Sequence, residues 1–290
     1  MTDSPPFTLR LPDRQSAAVV VTSAHSGRRY TPDFLAQTRL DAVSVRRSED
    51  SFVDELFAAA PELGVPLLCA EFPRAWCDAN REPWELDPAM FADTLPLYVN
   101  TASPRVAAGL GTVARVVGAG EPIYARKLRF AEAQARVETG WRPFHAALAR
   151  LIEETRARFG HCIVLDCHSM PTPLTRAAPR VDAVLGDGFG ASCAATWSGF
   201  VAGELSAQGL SVRRNEPYAG GYITRHYGRP AADVQALQLE LSRSLYMNER
   251  NFTRTARFTA LQGQMTALLK ALVRAERLWG AAGPGALAAE

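Results

Sequence analysis

The chain has 290 residues, 47% hydrophobic and 21% charged, proportions of an ordinary globular protein that exclude disordered and fibrous classes. Thirty-two basic against thirty acidic residues leave a formal net charge of +2, too weak a field for the basic face that nucleic-acid binding requires. Five cysteines without a C-x-x-C pair exclude a zinc ribbon or a thioredoxin-type site.

Residues 1–16 are Pro-rich at the start and are expected to form a flexible N-terminal segment. They lack the basic flank and apolar stretch of a signal peptide, and no apolar run nears the roughly 18 residues of a membrane span. A soluble, cytoplasmic protein with no membrane partner is expected. Ala17–Ala24 is a β-branched run that ends in a polar turn, as a buried strand of a parallel sheet does. Ser48, followed by Glu49 and Asp50, reads as the N-cap of a helix through Phe52, Val53, Leu56, Phe57 and Leu63, closed by Gly64. Val65–Phe72 reads as a second strand. Residues 73–104 hold no period and form a long functional loop.

Helical spacing returns over residues 125–158, and His161–His168 is the clearest strand of the chain. A strand at Asp182–Leu185, a small-residue helix to about Gln208 and a short strand at 211–214 follow. Residues 217–230 form a Gly- and Tyr-rich loop, Ala236–Leu241 can end a strand, and 255–278 is an amphipathic helix. Cys69, Cys162 and Cys167 sit in apolar runs, as buried reduced thiols do. Alternating strands and helices predict an α/β three-layer sandwich on a mixed, mainly parallel sheet. One domain over residues 17–280 is expected, followed by a flexible tail at 281–290.

Ligands of such sheets bind beyond the carboxyl ends of the strands. His25 and His168 both stand at strand ends, where two imidazoles and a carboxylate would make a three-ligand catalytic metal site with an open position. Glu49, Asp50 and Asp54 are the candidate acids; complementing a helix N-terminus accounts for all three equally. Asp166, two residues before His168 in an extended strand, points to the same side and can fix the imidazole tautomer. Asp78-Ala79-Asn80-Arg81 sets a guanidinium fork beside an amide, suited to a substrate carboxylate, although a turn with a surface arginine reads the same. Glu240 lies between leucines. On a buried strand it is a general base, on an edge strand or amphipathic helix merely exposed, and the sequence leaves both open. His145, His161 and His226 read as packing or surface residues. No G-x-S-x-G elbow, P-loop or strand-linked G-x-G-x-x-G is present.

Eight segments occur together in order: SAHSG at 23–27, SEDSFVDELF at 48–57, DANR at 78–81, GEPIYARKL at 120–128, RVETGWRPFHAAL at 136–148, LDCHSMP at 165–171, NEPYAGGYITRHYG at 215–228 and ALQLELSRSLYMNE at 236–249. In this set the chain resembles the N-formylglutamate amidohydrolase family, itself similar to zinc carboxypeptidases and aspartoacylases. The resemblance implies one zinc, or another divalent metal, per chain, held by His25, His168 and Asp50, with Glu49 as the alternate acid. It implies Glu240 as the base acting on water, Asn80 and Arg81 as a carboxylate clamp, and Tyr124, Arg136, Tyr218, Gly220 and Gly221 as pocket lining. The implied reaction takes N-formyl-L-glutamate, a small-molecule partner, to formate and L-glutamate in histidine breakdown. Two departures, Ala24 where family members often carry proline and SEDSFVD in place of a D-T-D-W-H-x-D-like segment, keep other substrates open. A zinc carboxypeptidase, an N-acyl amino acid deacylase, or a non-catalytic amino-acid-binding protein on the same fold are the alternatives. The sequence does not set the oligomeric state.

Overall fold

The apolar runs of the sequence become a seven-stranded sheet at the centre of an α/β fold. The structure, a computed structural model, describes residues 5–118, 120–172 and 181–280; the expected tail at 281–290 lies outside these. The strands are β1 (Phe7–Arg10), β2 (Val19–Ser23), β3 (Leu67–Ala70), β4 (Cys162–Met170), β5 (Ala183–Gly186), β6 (Val212–Arg214) and β7 (Val234–Ser242). Their order across the sheet is β1-β3-β2-β4-β7-β5-β6. β2 pairs with β4, β4 with β7 and β5 with β6 in parallel, whereas β5 runs antiparallel to β7. The sheet is mixed and mainly parallel, as the alternation of elements predicts.

Every residue of β2, β4 and β7 is buried. Such strands need apolar side chains in both directions of the pleat, which explains why β2 and most of β4 read as continuous hydrophobic runs, whereas β7 is interrupted by Gln235, Gln238 and Glu240. Their few polar residues are therefore costly unless partnered, and they are the ones that matter below. Strand β1 falls inside the segment expected to be flexible; its four half-buried residues add an edge strand to the sheet. All five cysteines are buried and none forms a disulfide.

The described residues group into two compact units. The first comprises the described residues up to Thr8, Ala24–Ser51 and the described residues of Cys69–Ala147; the second comprises Leu9–Ser23, Phe52–Leu68 and the described residues from Leu148 onward. The first unit is poor in regular structure, and aromatic clusters hold its loops. One such cluster contains Phe34, Val45, Ala75, Val117 and Ile123, with Tyr30, Trp76 and Tyr124 packed against it. The second unit holds β2, β4, β5, β6 and β7 together with the long C-terminal helix Phe258–Trp279. That helix buries Phe258, Leu261, Met265, Leu268, Leu269 and Leu272, the helical spacing read from the sequence.

Three elements differ from expectation. Ser48 does not cap a helix: it ends the 3-10 turn Ser44–Ser48, and its hydroxyl accepts from the Gly118 N–H at 3.1 Å. The regular helix is only Val53–Leu56, because Phe52 at φ 67° stands in the left-handed region and breaks the run; the Asp50 N–H donates to the His25 carbonyl at 3.0 Å. The helical stretch after residue 125 starts at Phe130, passes through a π-type segment at Val137–Trp141 and continues as Arg142–Phe159. The expected loop 217–230 contains a short helix, Tyr222–Tyr227. No helix among the described residues is long and apolar enough to cross a membrane.

Candidate functional site

Strand β4 carries Asp166 and His168 two residues apart, so both project from one face of the sheet. The parallel register with β7 sets Gln238 beside Asp166 and Glu240 beside His168. On β2, Thr22 is the register partner of Asp166. Thr22, Asp166, His168, Gln238 and Glu240 therefore share one face, near the carboxyl ends of their strands. The Asp166 carboxylate accepts from His168 Nε2 at 2.9 Å. Glu240 is 8% exposed on a central strand, which settles its burial. Its Oε1 accepts from Gln238 Nε2 at 2.9 Å.

His25 follows β2 by two residues and is itself buried. The backbone bond from Asp50 N–H to the His25 carbonyl folds the acidic segment back, and Asp50 Oδ2 lies 3.4 Å from His25 Nδ1. The opposite nitrogen, Nε2, stands 2.7 Å from Asp78 Oδ1. Burial alone would raise the Asp78 carboxyl, but His25, Arg74 and Arg81 together hold it well below the usual carboxylate range. Arg74 Nε donates to Asp78 Oδ2 at 2.9 Å, and Arg81 Nε stands 3.7 Å from the same oxygen.

Ligating atoms of His25, Asp50 and His168 lie within 4.8 Å of one another, and all three residues are buried. Two imidazoles and one carboxylate are the donors that divalent transition metals take in catalytic sites. Each ring also engages a carboxylate through Nε2, Asp78 for His25 and Asp166 for His168, the outer partnership that fixes a metal-ligating histidine. This donor set fits a divalent metal. Glu49, one residue away, is engaged elsewhere: its carboxylate accepts from Arg46 Nε and Nη2 at 3.0 and 2.9 Å, from the Tyr30 hydroxyl at 3.1 Å and from the Ser51 hydroxyl at 2.6 Å. Asp54 lies in the helix Val53–Leu56.

The segment Asp78–Arg81 has no regular structure, yet every residue is held. Asp78 N–H donates to the Thr112 carbonyl at 2.7 Å and Asn80 N–H to Asp78 Oδ1 at 2.8 Å. Trp141 Nε1 donates to the Arg81 carbonyl at 3.0 Å, and His145 Nε2 lies 2.7 Å from the Ala79 carbonyl. His145 is thus a packing residue, stacked on Trp141. The Arg81 guanidinium donates to the carbonyls of Leu110 and Asn80. Burial pulls it down to about 10, with Asp78 opposing, so it stays a cation at neutral pH. A half-enclosed, pre-ordered cation beside an amide can grip a carboxylate.

Tyr124 and Arg136 meet each other rather than standing apart. Arg136 donates to the Tyr124 hydroxyl, to the Trp76 carbonyl at 3.0 Å and to Gln37 Oε1 at 2.7 Å. Its guanidinium also sits over the rings of Phe34, Trp76 and Tyr124. Tyr124 donates to the Ala75 carbonyl at 3.3 Å. The pair thereby fixes Ala75 and Trp76, the residues that lead into Asp78. The backbone of Tyr218–Gly220 crosses Gly186, where an added Cβ would come within 2.7 Å of Gly220 N. Gly220 has φ 125°, a conformation that only glycine adopts readily. Gly186 is the register partner of Gln238, so this loop lies on the face that carries Glu240; Gly221 follows as the N-cap of Tyr222–Tyr227. Tyr218 is exposed.

Sequence reasoning assigned no role to Asp78 or Gln238. Asp78 stood in view within the DANR tetrapeptide. The spacing that picked out Asp166 before His168 recurs as Gln238 before Glu240, and a search for that repeat would have found it.

A family model described as N-formylglutamate amidohydrolase matches residues 17–247. The chain is 30% identical over 271 residues to an N-formylglutamate deformylase from Pseudomonas putida, covering 91% of this chain and 93% of that protein. It is 31% identical over 242 residues to one from Pseudomonas aeruginosa, covering 82% and 85%. Among solved structures it is similar to an N-formylglutamate amidohydrolase from Ralstonia eutropha JMP134, with TM-score 0.89, 36% identity and coverage of 95% and 99%. A gene product from Agrobacterium tumefaciens, at 19% identity and TM-score 0.65 over 94% and 97% of the chains, shares the fold.

Proposed function

This chain belongs to the N-formylglutamate amidohydrolase family, and from that premise we propose that it hydrolyses N-formyl-L-glutamate to formate and L-glutamate. It is a hydrolase acting on an amide bond, not a non-catalytic binder. The observation that supports the reading most is the buried group His25, Asp50 and His168, with Glu240 beside His168 in the sheet register.

Zinc held by His25, Asp50 and His168 would supply a Lewis acid and lower the pKa of water toward about 7. Glu240 takes a proton from the attacking water and delivers it to the departing nitrogen as the C–N bond breaks. A positioned carboxylate in that role contributes about 10²- to 10⁴-fold. Arg81 and Asn80 hold a substrate carboxylate, so that binding energy sets the formamide carbon against the attacking oxygen. Tyr218, Gly220 and Gly221 line the pocket, while Arg136 and Tyr124 brace the segment that presents Asn80 and Arg81.

The test is a substrate panel on the purified metal-loaded protein: N-formyl-L-glutamate, N-formyl-L-aspartate, N-acetyl-L-glutamate and a glutamate-terminated dipeptide. Release of formate and glutamate in equal amounts is expected, with the highest kcat/KM for N-formyl-L-glutamate. Preference for the acetylated substrate or the dipeptide would overturn the proposed specificity, and no formate from either formyl compound would overturn the reaction.

A further inference from the structure

We infer that Gln238 is a positioning residue that holds the Glu240 carboxylate in its working orientation; this rests on the reading of Glu240 as the base. Strand β7 presents Gln238 and Glu240 to one face, two residues apart. Glu240 as a carboxylate can only accept, so the Gln238 amide must turn its nitrogen toward Oε1, and it does so at 2.9 Å. Its other atom, Oε1, is buried with no hydrogen-bond partner among the described residues. The amide thus commits its donor to Glu240 at the expense of its own acceptor, and the bond fixes the two groups against each other.

The surroundings lock the amide. Gln238 is 4% exposed, flanked in register by Asp166 on β4 and Gly186 on β5. Gly186 contributes no side chain, and the Tyr218–Gly220 backbone crosses its open face. The arrangement repeats what β4 does one strand away, where Asp166 engages His168 at 2.9 Å. Two neighbouring strands thus use the same device, a polar residue two positions earlier that fixes the group beyond it. On β4 that group is a histidine of the candidate metal set; on β7 it is the base.

The experiment compares Gln238→Met, which keeps the length and removes the donor, with Gln238→Asn, whose donor is one methylene short of Glu240, and with Glu240→Gln. All are measured for kcat, KM, Tm and metal content on N-formyl-L-glutamate. Both Gln238 variants should lose kcat on the order of 10- to 100-fold, the worth of one hydrogen bond to a charged group. KM should stay within about twofold and metal content at the wild-type level, since neither grip on the substrate nor the metal ligands are touched. A lowered Tm with unchanged kcat, or equal loss in kcat and metal, would overturn the positioning role while Glu240→Gln remained inactive. An active Glu240→Gln would instead overturn the reading of Glu240 and the inference with it.

Discussion

His168 and Glu240 are register partners in the parallel pairing of β4 with β7, so an imidazole and a carboxylate stand side by side on a buried face of the sheet. They are far apart in sequence and adjacent through backbone pairing alone. A sheet sets such a pair more rigidly than loops can, because neither strand can slip by one residue without turning its whole side-chain set to the other face.

That adjacency separates two roles that a single activity assay would merge. Glu240→Gln should abolish turnover yet retain about one metal per chain, whereas His168→Ala should lose the metal. Elemental analysis of both purified variants checks this; metal loss in Glu240→Gln would turn Glu240 from base to ligand.

Arg81 is a half-buried cation held by the backbone carbonyls of Leu110 and Asn80. Arg81→Ala should raise KM about 10- to 100-fold with kcat changed far less, as expected for loss of a charge-assisted contact. Arg81→Lys should restore only part of it, because a point charge lacks the planar fork. Steady-state kinetics, with Tm as a check on folding, decide the matter; an unchanged KM removes Arg81 from the substrate grip.

Gly186 lies where backbone crosses backbone. Gly186→Ala should displace the Tyr218–Gly220 segment and raise KM, since the obstructing atoms are main chain and cannot rotate away. Unaltered kinetics in that variant would show that the loop has no part in substrate binding.

His161 Nε2 stands 3.1 Å from Glu276 Oε1, tying the entry to β4 to the C-terminal helix. The bond to Glu276 raises the His161 pKa above its ordinary value, against a smaller opposing effect of burial. A raised folded-state pKa means that the stabilisation is complete below about 6.5 and fades as pH climbs through the higher folded value. Wild type should therefore exceed His161→Gln in Tm by about 2 °C near pH 6, and the gap should close toward pH 9. Thermal scans across that range test it; a gap that does not change with pH would assign the contact to packing.

Much of the fold was legible in the sequence. β2 and β4 announce themselves because strands buried on both faces need long apolar runs, and the C-terminal helix shows its 3.6-residue spacing; β7, interrupted by Gln235, Gln238 and Glu240, reads equally as strand or helix. β1 was not legible: a short, half-buried edge strand owes its existence to its neighbour rather than to its own pattern. The helix expected from Ser48 is broken by Phe52 in the left-handed region, and the Asp50 amide bonds to the His25 carbonyl. That bond draws Asp50 rather than Glu49 toward His25, a choice one residue wide that no local pattern records.

By itself the sequence determined which residue types stand at the strand ends, two histidines, the acids and Glu240, together with the family to which their order belongs. Tertiary structure alone decided whether Glu240 is buried or exposed, that Asp78 engages His25, and that His168 and Glu240 stand side by side. The division follows from the physics. Apolar periodicity and turn chemistry act between near neighbours and are written in the chain, whereas the partner of a buried polar group is supplied by strand register and loop packing, which bring distant residues within hydrogen-bond reach.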